Sequence, residues 1–181
     1  MLYKFYGESN IALEMYGTIT GIVIPFLLFP STITTALSTM MLPAVSYAKA
    51  RHRNKTINDA VTKSISFCFI LGAITCIGYI FLGEWACCFA FGSKEAGFLL
   101  EKMCYLCPFI YISGNMSAIL NGLGKTFHNM MFNIVSISIR IIFTLTLVPV
   151  YGEGAYVLGM CASYMLLDML MLFAIKRNIK I

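Results

Sequence analysis

Two charged residues lie inside otherwise apolar runs, Arg140 in VSISIRIIFTLTL and Asp168 in YMLLDMLML. A charge at the centre of a bilayer costs about 2.5–3.5 kcal/mol on an insertion scale, so such a residue faces protein or water rather than lipid. Two chemistries are open to Arg140. It can close an ion pair with Asp168 and lock two neighbouring helices. Alternatively, its planar donor fork can face a cavity and bind two phosphate oxygens of an anionic headgroup at once. Counted from a turn near Gly152, Arg140 lies 12 residues before the turn and Asp168 lies 16 after it. The depth offset is then about 6 Å at the α-helical rise, within reach of an arginine side chain. Asp168 is accordingly a structural or coupling charge.

The uncharged polar residues form two further sets. Ser31, Thr32, Thr34, Thr35, Ser38 and Thr39 follow Pro30 within a few turns, and Ser31, Thr35, Ser38 and Thr39 fall close to one helical face. Such hydroxyls can repair a proline break and pack helices, or form the polar wall of a water-filled cavity. Asn115, Asn121 and Asn133 present the same choice between cavity lining and helix–helix hydrogen bonding. Ser31, Thr35, Ser38, Asn115 and Arg140 are the candidate substrate-binding residues.

Other motifs carry no chemistry. Gly122-Leu123-Gly124-Lys125-Thr126 ends like a phosphate-binding loop, but the glycine that loop needs five residues before Gly124 is Ile119. An apolar span precedes it instead of a β-strand. The glycines and Lys125 suit the end of a helix at the lipid headgroups. Cys104 and Cys107 have CxxC spacing without a second pair, which does not make a metal site. No nucleophile–base set or paired carboxylate stands out, so the sequence does not read as an enzyme, and nothing in it calls for a cofactor.

The elements that must hold these residues are membrane spans. The chain of 181 residues is 59% hydrophobic and 12% charged, about half the charge of a soluble domain. The net charge of +5 does not point to nucleic acid, because the positives sit in short loops between apolar runs. Residues 16–47 are uncharged and are followed by AKARHRNK, the pattern of a span stopped by a basic cluster. Pro25, Pro30 and Pro43 make one straight helix there unworkable. Further spans are expected at 64–82, 103–123, 127–150 and 155–175, after an extracytoplasmic loop at 1–15. Trp85, Phe89 and Phe91 suit a membrane–water interface.

The expected class is an all-α, polytopic transmembrane bundle of about five spans. With five alternating spans, Lys49, Arg51, Arg53, Lys55, Lys63, Lys125, Lys176, Arg177 and Lys180 share one side, against Lys4, Lys94 and Lys102 on the other. The imbalance places the N-terminus outside and the C-terminus in the cytoplasm of a cell-membrane protein.

Two runs carry a family resemblance: MYGTITGIVIPFLLFPSTITTALSTMMLPAVSYAKA, and LCPFIYISGNMSAILNGLGKTFHNMMFNIVSISIRIIFTLTLVPVYGEGAYVLG. Together they resemble the second half of the stage V sporulation protein B family. That family belongs to the polysaccharide-exporter and lipid-flippase branch of the superfamily that includes multidrug and toxin extruders. The resemblance implies part of the C-terminal lobe of a flippase that works by alternating access. The implied cargo is a polyprenyl-pyrophosphate-linked oligosaccharide for peptidoglycan or spore-cortex synthesis, with Arg140 facing the diphosphate. The resemblance implies about twelve to fourteen helices in a full member, against about five here. The implied partners are therefore the lipid bilayer, the lipid-linked substrate, and either a missing N-terminal lobe or a second copy of the chain. Two other readings are a drug or cation extruder and a non-transporting membrane assembly partner.

Overall fold

The computed structural model describes residues 9–148 and 153–179, and their regular structure is helical throughout. In chain order the elements are α1 (Ser9–Thr18), a π-helical turn (Ile19–Val23), α2 (Ile24–Leu28), α3 (Ser31–Ala50) and α4 (Asn54–Phe91). Then come α5 (Lys94–Met103), a 3-10 turn (Cys104–Leu106), α6 (Cys107–Gly122), α7 (Thr126–Thr146) and α8 (Glu153–Ile179). Four stretches are long and apolar enough to cross a membrane: Asn54–Phe91, Lys94–Gly122, Thr126–Thr146 and Gly154–Asn178. The pair Leu13–Leu28 and Ser31–Ala50, bent by 58°, makes a fifth if it counts as one span. The all-helical membrane bundle expected from composition is thus the observed class. A helix bonds its own N–H and C=O groups, which hydrocarbon cannot do for it.

The helices overrun the apolar runs. The expected loop at 1–15 is already helical from Ser9. The basic stretch after Ala48 shrinks to a three-residue turn, Arg51–Arg53, because α4 starts at Asn54. The segment after Gly83, expected as a loop, stays helical to Phe91. With 38 residues α4 is about 57 Å long, well beyond a hydrocarbon core of about 30 Å. It closes at Gly92, whose φ of +66° supplies the left-handed cap. The turn near Gly152 lies outside the described residues.

The first span breaks at Pro30, whereas Pro43, also expected to break it, lies inside the continuous helix α3. The π-helical turn immediately precedes α2, which carries Pro25 at its start. The 58° bend falls at Phe29-Pro30, between α2 and α3. Three consecutive carbonyls before the bend receive side-chain hydroxyls: Tyr79 donates to Phe26 at 2.6 Å, Tyr111 to Leu27 at 2.9 Å and Ser31 to Leu28 at 2.6 Å. Two of those donors come from α4 and α6, so the break is held by its neighbours.

α6 is the central helix, packed against α3, α4, α7 and α8. Backbone meets backbone at its two ends. A Cβ on Gly72 of α4 would lie 2.4 Å from the Cα of Pro108, and one on Gly122 would lie 2.7 Å from the Leu42 carbonyl oxygen of α3. At that second crossing Ser46 donates to the Gly122 carbonyl at 2.9 Å, and Lys49 donates to the Leu123 carbonyl. The phosphate-loop lookalike is the cap of α6. Gly124 has φ +68°, Lys125 N–H bonds the Leu120 carbonyl at 2.9 Å and Gly124 N–H bonds the Asn121 carbonyl at 2.9 Å.

Candidate functional site

The seam between α7 and α8 is polar inside and apolar outside. The buried residues of α7 are Asn129 and Ser136, while Met130, Ile134, Ile137 and Ile141 point outward. In water this arrangement would be inverted; in lipid the outward apolar face is the solvated one. Asn129, Asn133, Ser136 and Arg140 follow at intervals of four, three and four residues, which keeps them on one stripe.

The stripe has two halves. At the end near α6, Asn129 exchanges hydrogen bonds with Ser117 at 2.7 and 2.9 Å and donates to Asn121 at 3.2 Å, while Asn133 donates to the Asn129 carbonyl at 2.8 Å. Further along, Ser136 donates to the Ser163 carbonyl of α8 at 3.0 Å. Close approach continues to Gly159, where a Cβ would lie 2.9 Å from the Cβ of Phe143.

Arg140 closes the stripe. It is half-buried, its Nε donates to the Ser163 hydroxyl at 3.4 Å, and its guanidinium carbon sits 4.7 Å from the centre of the Tyr164 ring. The Ser163 hydroxyl itself donates to the Met160 carbonyl at 2.9 Å, which leaves its oxygen to accept from Arg140. A cation over an aromatic face is attracted by the ring quadrupole. Tyr156 lies within electrostatic range of the same guanidinium. Among the described residues no carboxylate pairs with it, and its terminal nitrogens make no hydrogen bond.

The depth counted along the sequence matches this register, since Arg140 stands level with Tyr164. The ion pair with Asp168 is nevertheless not made. Asp168 lies a further helical turn along α8 and turns toward α6, among Ile65, Phe109, Ile112, Met116 and Met169. It is buried, and both carboxylate oxygens lack a hydrogen-bond partner among the described residues.

The other expected site residues do not join Arg140. Thr34 and Ser38 point inward, whereas Thr35 and Thr39 are exposed, so the hydroxyl face splits. Each bonds its own helix: Thr34 and Thr35 to the Ser31 carbonyl at 2.8 and 2.9 Å, Ser38 to the Thr34 carbonyl at 2.7 Å and Thr39 to the Ala36 carbonyl at 2.8 Å. Asn115 is fully buried between α6 and α4 and donates to the Cys68 sulfur at 3.3 Å. The hydroxyls bond back within their own helix, at carbonyls that no proline has freed, while Asn115 bridges α6 and α4. Asn129, Ser136, Ser163 and Tyr164 were not singled out from the sequence. The four-three-four spacing that ends at Arg140 was the available signal.

The cysteines Cys68, Cys76, Cys87, Cys88, Cys104, Cys107 and Cys161 are free thiols, and the Cys76 and Cys104 sulfurs lie 3.6 Å apart. Among the described residues no group of three His, Cys, Asp or Glu side chains is placed to hold a metal ion.

The chain is 24% identical over 161 residues to Stage V sporulation protein B of Bacillus subtilis (strain 168). That similarity covers 88% of this chain, which spans about a third of the relative's length (31%). A distant relationship to that protein is thereby supported. No family model matches the chain, and no solved structure matches it. With its apolar helices, the chain fits a multi-pass membrane protein.

Proposed function

We propose that this chain forms part of the C-terminal lobe of a flippase that moves a polyprenyl-pyrophosphate-linked oligosaccharide across the cell membrane by alternating access. The observation that carries the reading is Arg140. A half-buried guanidinium in mid-span, held by a hydroxyl and a ring, keeps donors free for a diphosphate. The similarity to Stage V sporulation protein B agrees with a role in wall or spore-cortex precursor export. The basic end, with Lys49, Arg51, Arg53, Lys125, Lys176 and Arg177, faces the cytoplasm in this reading. The second half of the cavity comes from an N-terminal lobe or another copy of the chain, since alternating access needs two bundles that rock against each other.

A cation extruder is the second reading, favoured by the buried acid Asp168, whose oxygens have no hydrogen-bond partner among the described residues. The two separate in one experiment. A flippase-deficient, sporulating strain receives the chain with an N-terminal lobe supplied, carrying wild-type Arg140, Arg140→Lys or Arg140→Ala. Rescue by the wild type, its loss with Arg140→Ala and partial rescue with Arg140→Lys, all at equal membrane levels, fit a diphosphate ligand. Resistance to organic cations that survives Arg140→Ala but not Asp168→Asn fits the extruder instead.

A further inference from the structure

A groove runs between α4 and α8 with α6 as its floor. Its outer part, about 370 Å³, opens at the basic end beside Asn58, Thr62, Ser66 and Lys176. Its inner part, about 230 Å³, ends at Met165, Asp168 and Met169. The two parts share Ile65, Ile112 and Leu172 in their walls, so they adjoin. Asn58, Thr62 and Ser66 recur at four-residue intervals and are exposed along the outer part, giving water a row of hydrogen-bonding groups. From Lys176 to Asp168 is eight residues of α8, about 12 Å of helix.

Asp168 at the inner end is 9% exposed, with both carboxylate oxygens covered and without a hydrogen-bond partner among the described residues. An ionised carboxylate in such a place lacks both water and a counter-charge, whereas the neutral acid does not need them. Ile65 from α4, and Phe109, Ile112 and Met116 from α6, carry no titratable group. The nearby titratable or charged groups are engaged or remote. Cys68 of α4 is bonded to Asn115, and Arg140 of α7 is bonded to Ser163 and stacked on Tyr164 of α8. Lys176 lies at the far mouth of the groove.

We propose that Asp168 is a proton-binding site: it holds a proton while its oxygens are covered, as here, and exchanges it with the basic end along the α4–α8 groove. A metal cation suits the site poorly, because hard cations need several oxygen ligands and the inner groove offers one carboxylate among carbon and sulfur atoms. An organic cation in the groove could not touch oxygens that are covered. The inference is independent of the flippase reading, since its test measures no transport.

The test uses the full chain in membrane vesicles with a lipid-soluble carbodiimide, which modifies protonated carboxyls in apolar surroundings. Peptide mass mapping should find the adduct on Asp168, declining as pH rises and absent in Asp168→Asn. Infrared spectra should show a protonated-acid carbonyl band that Asp168→Asn removes. Its shift in heavy water should be slower in Thr62→Leu than in wild type. An unmodified Asp168 beside modified surface acids would overturn the proposal. So would modification that is suppressed by sodium and indifferent to pH, which would assign the site to a metal cation. Should Asp168→Asn fail to accumulate, the wild-type mapping and the Thr62→Leu exchange rate still decide.

Discussion

The Tyr79 hydroxyl donates to the Phe26 carbonyl at 2.6 Å, and Phe26 lies four residues before Pro30. In an unbroken helix that carbonyl would take the N–H of residue 30, which proline lacks. Phe29 N–H reaches it at 3.3 Å, so the phenol from α4 supplies the short bond. Tyr111 of α6 does the same for the next carbonyl, Leu27. The bend in the first span is therefore a tertiary feature, held by two other helices.

Removing the Tyr79 hydroxyl leaves the Phe26 carbonyl only the long bond from Phe29 N–H, and removing the Tyr111 hydroxyl takes the side-chain donor from the Leu27 carbonyl. Tyr79→Phe and Tyr111→Phe should each lower stability by about 1 kcal/mol. Reversible unfolding in mixed detergent micelles measures this. Unchanged midpoints for both variants would show that the carbonyls find other donors.

Two glycines of α4 offer a matched contrast. A Cβ at Gly72 would meet the Pro108 backbone at 2.4 Å, which no side-chain movement can relieve, whereas Gly78 has nothing within 4 Å. Gly72→Ala should cost about 1–3 kcal/mol by prising α4 from α6. Gly78→Ala should be neutral or stabilise by up to about 1 kcal/mol through helix propensity. The melting temperature of purified Gly72→Ala should therefore fall while that of Gly78→Ala holds or rises, and equal shifts would contradict the packing of α4 on α6.

The turn at Arg51–Arg53 and the cap at Leu123–Lys125 meet through the bond from Lys49 to the Leu123 carbonyl. Gly92 and Ser93 turn the chain at the opposite end of α4. With native cysteines replaced, His52→Cys should react with an impermeant maleimide only from the cytoplasmic side, and Ser93→Cys only from outside. The reverse pattern would invert the orientation proposed above.

Much of this architecture was legible locally. Apolar runs marked the spans because lipid contact selects for them residue by residue. The basic cluster after Ala48 and the glycines at Gly122 and Gly124 marked helix ends for equally local reasons. Helix ends were misjudged at Asn54–Lys63, where polar sequence stays helical, and at Glu84–Phe91, where an aromatic stretch after Gly83 continues the helix instead of forming a loop. Hydropathy reports where lipid stops, not where backbone hydrogen bonding stops.

By itself the sequence determined the all-helical membrane class, the break at Pro30 and the level of Arg140 relative to α8, because each follows from composition or from counting along a helix of fixed rise. Only the tertiary structure decided which way each polar side chain faces. Arg140 and Asp168 are close in depth, yet rotation about α8 sends one to Ser163 and Tyr164 and the other to an apolar groove beside α6. Rotation depends on how small residues such as Gly72, Gly122 and Gly159 let neighbouring helices approach. That is a property of pairs of helices, and no single helix carries it.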